Sequence, residues 1–189
     1  FPYPVSGKGT FAGQIGGTLM DPTFHGILTA PSITLNDQEL TDVRGMVDYE
    51  NRVVSLSQFG FRQGGGSYQA SLSINIDTHD ADGSVKVQDG DVNAIAAICN
   101  FKNEIVSGKV SSDVQVGGTY DNPELTITGQ LADGKISGYD VHDVEANLHL
   151  LDHVVYIEKL AGQQGTDGSF TADGYVTIGG PIQAHFSAQ

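Results

Sequence analysis

Apolar and polar residues alternate with a period of two along most of this 189-residue chain. Tyr68, Ala70, Leu72, Ile74 and Ile76 interleave with Gln69, Ser71, Ser73 and Asn75, which predicts a strand with one apolar and one polar face. Phe170, Ala172, Gly174, Val176 and Ile178 interleave with Thr171, Asp173, Tyr175 and Thr177 in the same phase. Leu125, Ile127, Gly129 and Leu131 do so with Thr126, Thr128 and Gln130, and Val144, Ala146, Leu148 and Leu150 with Glu145, Asn147 and His149. Phe24, Leu28, Val43, Val47 and Tyr49 are their equivalents nearer the N-terminus, and Val155 and Ile157 join the apolar set. Turn signals at Glu50-Asn51, Gly64-Gly65-Gly66, Asp82-Gly83, Asp89-Gly90 and Asp133-Gly134 separate the runs. The expectation is an antiparallel meander of strands about 6 to 12 residues long. One segment departs from it: after Asp91, a good N-cap, Val92, Ile95, Ala96 and Cys99 recur at helical spacing. That predicts a short amphipathic helix near 91–101, which must dock its apolar side and is expected to cover an open end of the sheet.

The pattern repeats. A shift of 101 residues carries Ser6-Gly7-Lys8 onto Ser107-Gly108-Lys109, and Gly16-Gly17-Thr18 with Pro22 onto Gly117-Gly118-Thr119 with Pro123. Asp42-Val43 returns as Asp143-Val144 and Val53-Val54 as Val154-Val155. After one inserted residue, Gly66-Ser67-Tyr68 returns as Gly168-Ser169-Phe170. Identities concentrate at turns and apolar positions, as expected for one structural unit used twice. The units are 6–76 and 107–178, joined by a connecting hairpin and the short helix over 77–106, all within one elongated β-domain, 1–189.

Composition then narrows the function. Nine Lys and Arg against 23 Asp and Glu give a formal net charge of −14, with the basic residues scattered singly. Binding to a phosphate backbone needs clustered cations, so a nucleic-acid partner is excluded, and an anionic membrane surface repels the chain for the same reason. The longest apolar stretch, around Ile95–Cys99, falls far short of the roughly 20 residues that span a bilayer as a helix. A single cysteine excludes an internal disulfide and any CxxC metal pair. With neither an initiator Met nor a signal peptide, the chain reads as a processed or excised piece.

A sheet with one apolar face must cover it, because each buried Val, Leu, Ile or Phe gains about 1.5–3 kcal/mol over exposure. A second sheet packed against it makes a sandwich. Alternatively the sheet folds over itself into a trough sheltered by curvature and by an apolar guest. Alternation alone fits both.

The ordered series Ser-Gly-Lys, Gly-Gly-Thr-x-x-x-Pro, Thr41-Asp42-Val43-Arg44-Gly45, Val53-Val54-Ser55-Leu56 and Gly64-Gly65-Gly66-Ser67-Tyr68-Gln69-Ala70 resembles the repeating units of the TamB and AsmA-like proteins. The second unit is similar to them through Val116-Gly117-Gly118-Thr119-Tyr120-Asp121-Asn122-Pro123, His142-Asp143-Val144-Glu145-Ala146 and Gly168-Ser169-Phe170-Thr171-Ala172-Asp173-Gly174. The likeness runs over nearly the whole chain. It implies an all-β fold, an elongated antiparallel β-taco whose curved trough has an apolar interior. It further implies a periplasmic location in a diderm envelope, within a parent protein anchored in the inner membrane. The implied function is non-catalytic: an apolar groove for phospholipid transport between inner and outer membrane, contributing to outer-membrane biogenesis and protein assembly. The implied partners are phospholipid acyl chains, neighbouring repeats of the parent chain, and an outer-membrane barrel protein engaged through other segments. The groove floor would comprise Tyr68, Leu72, Ile74, Ile76, Leu125, Ile127, Leu131, Val144, Leu148, Leu150, Val155, Ile157, Phe170, Val176 and Ile178. The alternative from another class is a structural β-sandwich repeat of a secreted or cell-surface protein such as an adhesin, in which the same residues are ordinary core.

Other chemistry finds little support. Asp80, Asp82, Gly83 and Asp89 partly fit a calcium loop, but Thr78 at its first position supplies no carboxylate, and a solvated acidic turn explains the same residues. Histidines lie at 25, 79, 142, 149, 153 and 185. The His149 and His153 spacing makes a zinc pair on a helix, whereas on a strand it separates them by roughly 13 Å. Gly7-Lys8-Gly9-Thr10-Phe11-Ala12 matches a dinucleotide fingerprint without the helix it requires. No GxSxG, Walker A or HExxH motif occurs, so the chain is not expected to be an enzyme or to carry a cofactor or metal.

Overall fold

The period-two pattern becomes strands laid almost end to end in the computed structural model, which describes residues 4–98, 105–178 and 182–188. β1 (Val5–Gly17), β2 (Pro22–Leu35), β3 (Gln38–Glu50), β4 (Val53–Gln63), β5 (Gly66–Asn75) and β6 (Ala81–Asp91) lead into the single helix α1 (Val92–Ile98). β7 (Val106–Gly118), β8 (Pro123–Ile136), β9 (Tyr139–Leu151), β10 (Val154–Gln164), β11 (Gly168–Thr177) and β12 (Ile182–Ala188) follow. All twelve strands form one antiparallel sheet in strict sequence order. The sheet is open and curled, with the form of an all-β trough. Among the described residues no second sheet lies against it, so the two-layer sandwich that alternation also allowed is not what forms.

The repeat reappears in the strands themselves. β1 to β5 and β7 to β11 have the same lengths, 13, 14, 13, 11 and 10 residues, at the sequence offset already seen. Within 77–106, β6 is a full strand paired with both β5 and β7, and β12 pairs with β11 as β6 does with β5.

Repeated identities mark backbone demands. Asp42 and Asp143 have φ of 54° and 52°, a left-handed conformation that Asp tolerates better than most residues. Each sits where the buried side chains change phase, so that Leu40 and Val43, and likewise Val141 and Val144, are all buried although three residues apart. A second irregularity recurs in β4 against β5 between Leu56 and Phe59, and in β10 against β11 between Ile157 and Leu160. Such bulges bend strands, and here they recur at matching points in both units. The Gly-Gly-Thr-x-x-x-Pro motif is the β1–β2 and β7–β8 turn: Gly17 and Gly118 both have φ of 76°. Thr18 N donates to Asp21 O at 2.9 Å, and Thr119 N to Asn122 O at 3.2 Å. Three anticipated turns prove to lie inside strands. Asp82-Gly83 and Asp89-Gly90 belong to β6 and Asp133-Gly134 to β8. Gly83 and Asp89 instead accommodate irregular backbone, with φ of 152° and 53°. A Cβ at Gly134 would come within 2.3 Å of Ser107 O, so glycine there permits close pairing rather than reversal.

Fully buried side chains gather near the bulges in two clusters. Leu131, Val141, Val144 and Phe170 form one, with Ile136 and Leu160 packed against it. Ala30, Leu40 and Val43 form the other, with Ile33, Leu35, Phe59, Phe61 and Ile98. Five positions correspond across the offset of 101: Leu131 with Ala30, Val141 with Leu40, Val144 with Val43, Ile136 with Leu35 and Leu160 with Phe59. Each unit therefore makes the same crease. α1 is capped as anticipated: Asp91 Oδ1 accepts from Asn93 N at 2.9 Å and Ala94 N at 3.0 Å. Its expected extension to 101 lies outside the described residues. The helix touches β6, β7 and β3, and Asn36 Nδ2 in the β2–β3 hairpin donates to Ile98 O at 2.8 Å. A short helix can bridge strands that far apart in the order only because the sheet curls between them.

Crease and remaining face should respond differently to truncation. Leu40→Ala, at a position 3% exposed, is expected to lower unfolding free energy by about 2–5 kcal/mol. Leu125→Ala, on the half-buried part of the same face, should cost distinctly less, as read by urea denaturation of both variants.

Candidate functional site: an apolar trough floor

Paired residues in an antiparallel sheet point to the same side, so the register reads directly as rows across the trough. One row crosses all twelve strands without a polar residue. It runs Gly13, Gly26, Val47, Leu56, Leu72, Gly83, Val116, Leu125, Leu150, Val155, Val176, Ile182. A neighbouring row runs Phe59, Ala70, Val85, Val114, Ile127, Leu148, Ile157, Gly174, Ala184. The next, nearer the crease, runs Phe61, Tyr68, Val87, Ser112, Gly129, Ala146, Leu160, Ala172, and Ser112 is its one hydroxyl on a short side chain. The opposite face carries mostly polar rows: Gln14, His25, Asp48, Ser55, Ser73 and Asp82 form one, and Ser84, Gln115, Thr126, His149, Tyr156 and Tyr175 another, with Ala12, Ile27 and Met46 an apolar exception.

Burial distinguishes this face from a packed core. Val47, Leu56, Leu72, Val116, Leu125, Leu150, Val155 and Val176 are all half-buried, and not one is fully enclosed. A contiguous apolar surface left that open marks a site of interaction. Of the residues expected to form the floor, Leu72, Ile74, Leu125, Ile127, Leu148, Leu150, Val155, Ile157 and Val176 lie here, on the apolar side and half-buried. Tyr68, Leu131, Val144 and Phe170 lie on the same side but are fully buried in the crease, where protein already surrounds them. Ile76 and Ile178 fall past the ends of β5 and β11, each 40% exposed. The chain turns there, with Ile76 N donating to Arg52 O and Ile178 N to His153 O, so neither belongs to a strand row. Val47, already read as an equivalent apolar position, shares the floor, as do Val54, Leu56, Val85, Val114 and Val116, which were not assigned to it; the period-two pairs Val54 and Leu56, Val85 and Val87, and Val114 and Val116 were the signal for them.

Two glycines on the apolar side, Gly26 and Gly45, are covered by aromatic rings. A Cβ built at Gly26 would lie 2.2 Å from Phe11 Cζ, and one at Gly45 2.5 Å from Phe59 Cδ2, so each ring occupies the space a side chain would take. Phe11 also stacks on Phe24 at 4.3 Å, and Phe61 on Tyr68 at 4.7 Å.

Charges keep to the outer face and the rims. His25 pairs with Asp48, Lys86 with Asp113 at 3.6 Å and Lys159 with Glu145 at 2.7 Å, all outside the trough. Arg52 pairs with Asp77 at 3.1 Å on a rim. Exposed pairs of this kind are screened by water and salt, so they solvate the outside rather than hold the fold. At the opposite rim, a hydrogen bond between His142 Nε2 and Gly165 O at 2.9 Å, helped by Asp143, raises the His142 pKa above its ordinary value. The residues weighed for other chemistry are dispersed: Gly7–Ala12 lies within β1, Asp82 and Asp89 within β6, and His149 on β9 with His153 in the following turn. Among the described residues no group of three or more His, Cys, Asp or Glu is placed to hold a metal ion. No described helix is long and apolar enough to cross a membrane. Comparison with family models, curated proteins and solved structures found nothing that matches this chain.

Among the described residues, Gln63 Oε1, Asn122 Oδ1 and the Tyr68 hydroxyl are buried without a hydrogen-bond partner. The Tyr68 hydroxyl is enclosed beside Gly90, and burial first, then the charge of Asp91, raises its pKa. The second unit has Phe170 in its place. An unmatched buried hydroxyl costs about 1–3 kcal/mol, so Tyr68→Phe should raise the urea midpoint of unfolding. A lowered midpoint would mean that the hydroxyl is satisfied in solution.

Proposed function

We propose that this chain is a non-catalytic segment of a bridge-like conduit in which phospholipid acyl chains travel along the trough floor. The observation that carries the reading is the polar-free row across all twelve strands, half-exposed at every described side chain. Drawing a 16-carbon acyl chain through water exposes methylenes at about 0.8 kcal/mol each, about 13 kcal/mol in all. A continuous apolar strip removes most of that barrier, and its lack of a distinctive pocket suits passage better than storage. Headgroups stay in water at the mouth, beyond the reach of the floor.

The resemblance to TamB and AsmA-like repeats supports the same reading and supplies its setting. That setting is the periplasm of a diderm cell, with the parent protein anchored in the inner membrane and adjoining repeats extending the trough. The role is lipid supply for outer-membrane biogenesis, with outer-membrane protein assembly aided through a barrel partner bound by other segments.

Two experiments test this. A photo-reactive residue at Ile74, on the floor, should capture phospholipid when the protein is made in a diderm periplasm, whereas one at the adjacent Ser73, on the outer face, should not; equal labelling at both sites counts against the trough. Val176→Asp places a charge on the half-exposed floor, where water can still reach it. The variant should fold, by circular dichroism, and lose co-purifying lipid to background in native mass spectrometry. Unfolding of Val176→Asp would point to a closed core instead.

A further inference from the structure

We infer that α1 is a lid, seated over the crease of the first unit, and that a phospholipid acyl chain entering that crease displaces it. The inference rests on the reading of the trough as an acyl path. α1 lies on the apolar side of the sheet: Ile98 packs against the cluster of Ala30, Leu40 and Val43, and Asn36 Nδ2 reaches from the β2–β3 hairpin to donate to Ile98 O at 2.8 Å. Asn93 is exposed, and every other residue of the helix is apolar. Val92, Ala94, Ile95, Ala96, Ala97 and Ile98 are all half-buried, and none is fully enclosed. The helix thus covers apolar surface with apolar side chains, as a hydrocarbon guest would, and competes with that guest for the same ground.

Two polar groups set the balance of the seat. Closing the lid makes the bond from Asn36 and leaves another unmade, because the hydroxyl of Tyr68, a residue 4% exposed, has no partner. A Cβ built at Gly90 would lie 2.8 Å from that hydroxyl and 3.0 Å from Ile95 Cδ1, so hydroxyl and helix meet over the same glycine. Lifting α1 admits water, or the ester carbonyl of a lipid, to the hydroxyl. The cost of the unmade bond therefore falls on the closed state alone. A helix of seven residues does not persist in water away from its seat, so opening also melts it. The fold itself requires neither group, since the second unit carries Ser137 in place of Asn36 and Phe170 in place of Tyr68. While the lid is shut, the crease binds lipid only in proportion to the fraction of molecules that are open.

Amide hydrogen exchange on the full chain tests the lid, with native mass spectrometry to count bound lipid. Dihexanoyl phosphatidylcholine, added below its micelle concentration, should speed exchange over 92–98 while β8 and β9 stay protected. Lipid bound with exchange over 92–98 unchanged or slowed would overturn the lid and leave the acyl path standing; no lipid bound at all would overturn both. Two variants should then move in opposite directions. Asn36→Ser removes the tie, so it should speed exchange over 92–98 without lipid and raise lipid affinity about fivefold. Tyr68→Phe relieves the closed state, so it should slow that exchange and lower lipid affinity by a similar factor. Weaker binding in both variants would mean a simple loss of packing and would overturn the lid, as would exchange over 92–98 that neither variant changes.

Discussion

The governing constraint is that a single layer of sheet has no partner layer for its apolar face. Hydrophobic burial is the main favourable term in folding, and a flat sheet of this composition would leave one side wet. Curling answers part of the demand. The bulges bend the strands, the crease closes over Ala30, Leu40, Val43, Leu131, Val141, Val144 and Phe170, and α1 lies across the first unit from β7 to the β2–β3 hairpin. What the curl cannot enclose is the broad floor, where the same kind of residue remains half-buried. Stability and proposed function therefore draw on one apolar face, divided between a crease that protein fills and a floor that it leaves half-exposed.

Bending places its own demands on the backbone, and these explain which residues recur. Asp42 and Asp143 stand at left-handed positions beside buried valines, and Gly17 and Gly118 shape equivalent turns. A β-branched residue at either aspartate would have to adopt the same positive φ, which its side chain disfavours. The dipeptide Asp-Val thus pairs a residue that tolerates the bend with one that fills the space behind it. Outer-face ion pairs have no such role, being exposed and mostly different between the units.

Strand alternation and the repeat were legible from residues alone, and so was the Asp91 cap, because each depends on local spacing. The boundary between crease and floor was not. Tyr68 and Leu72 read identically in a period-two pattern, yet one is 4% exposed and the other half-buried, and only the three-dimensional bend separates them. Asp-Gly pairs misled for a related reason: Gly83 and Gly134 serve close strand approach, which uses the same residue as a turn. Ile76 and Ile178 kept the alternation but lay past the strand ends, where backbone bonds to Arg52 and His153 decide direction. Sandwich and trough, finally, share one alternation, because both ask only that one side be apolar.

The two units differ in a way that bears on what the floor does. Equivalent floor positions keep their apolar character but not their size or shape: Gly26 answers to Ile127, Val47 to Leu148 and Leu72 to Gly174 in size, and Leu56 to Ile157 in branching. The row through Gly13 in the first unit meets Val116 in the second, the counterpart of Ile15, so the rows step by two residues from one unit to the next. A pocket shaped for one ligand would not survive such changes, because close packing registers a single methylene. A surface along which a flexible hydrocarbon slides requires only that no polar group interrupt it. The long row meets that requirement at every strand, while varying the side chains that a shaped pocket would have to keep.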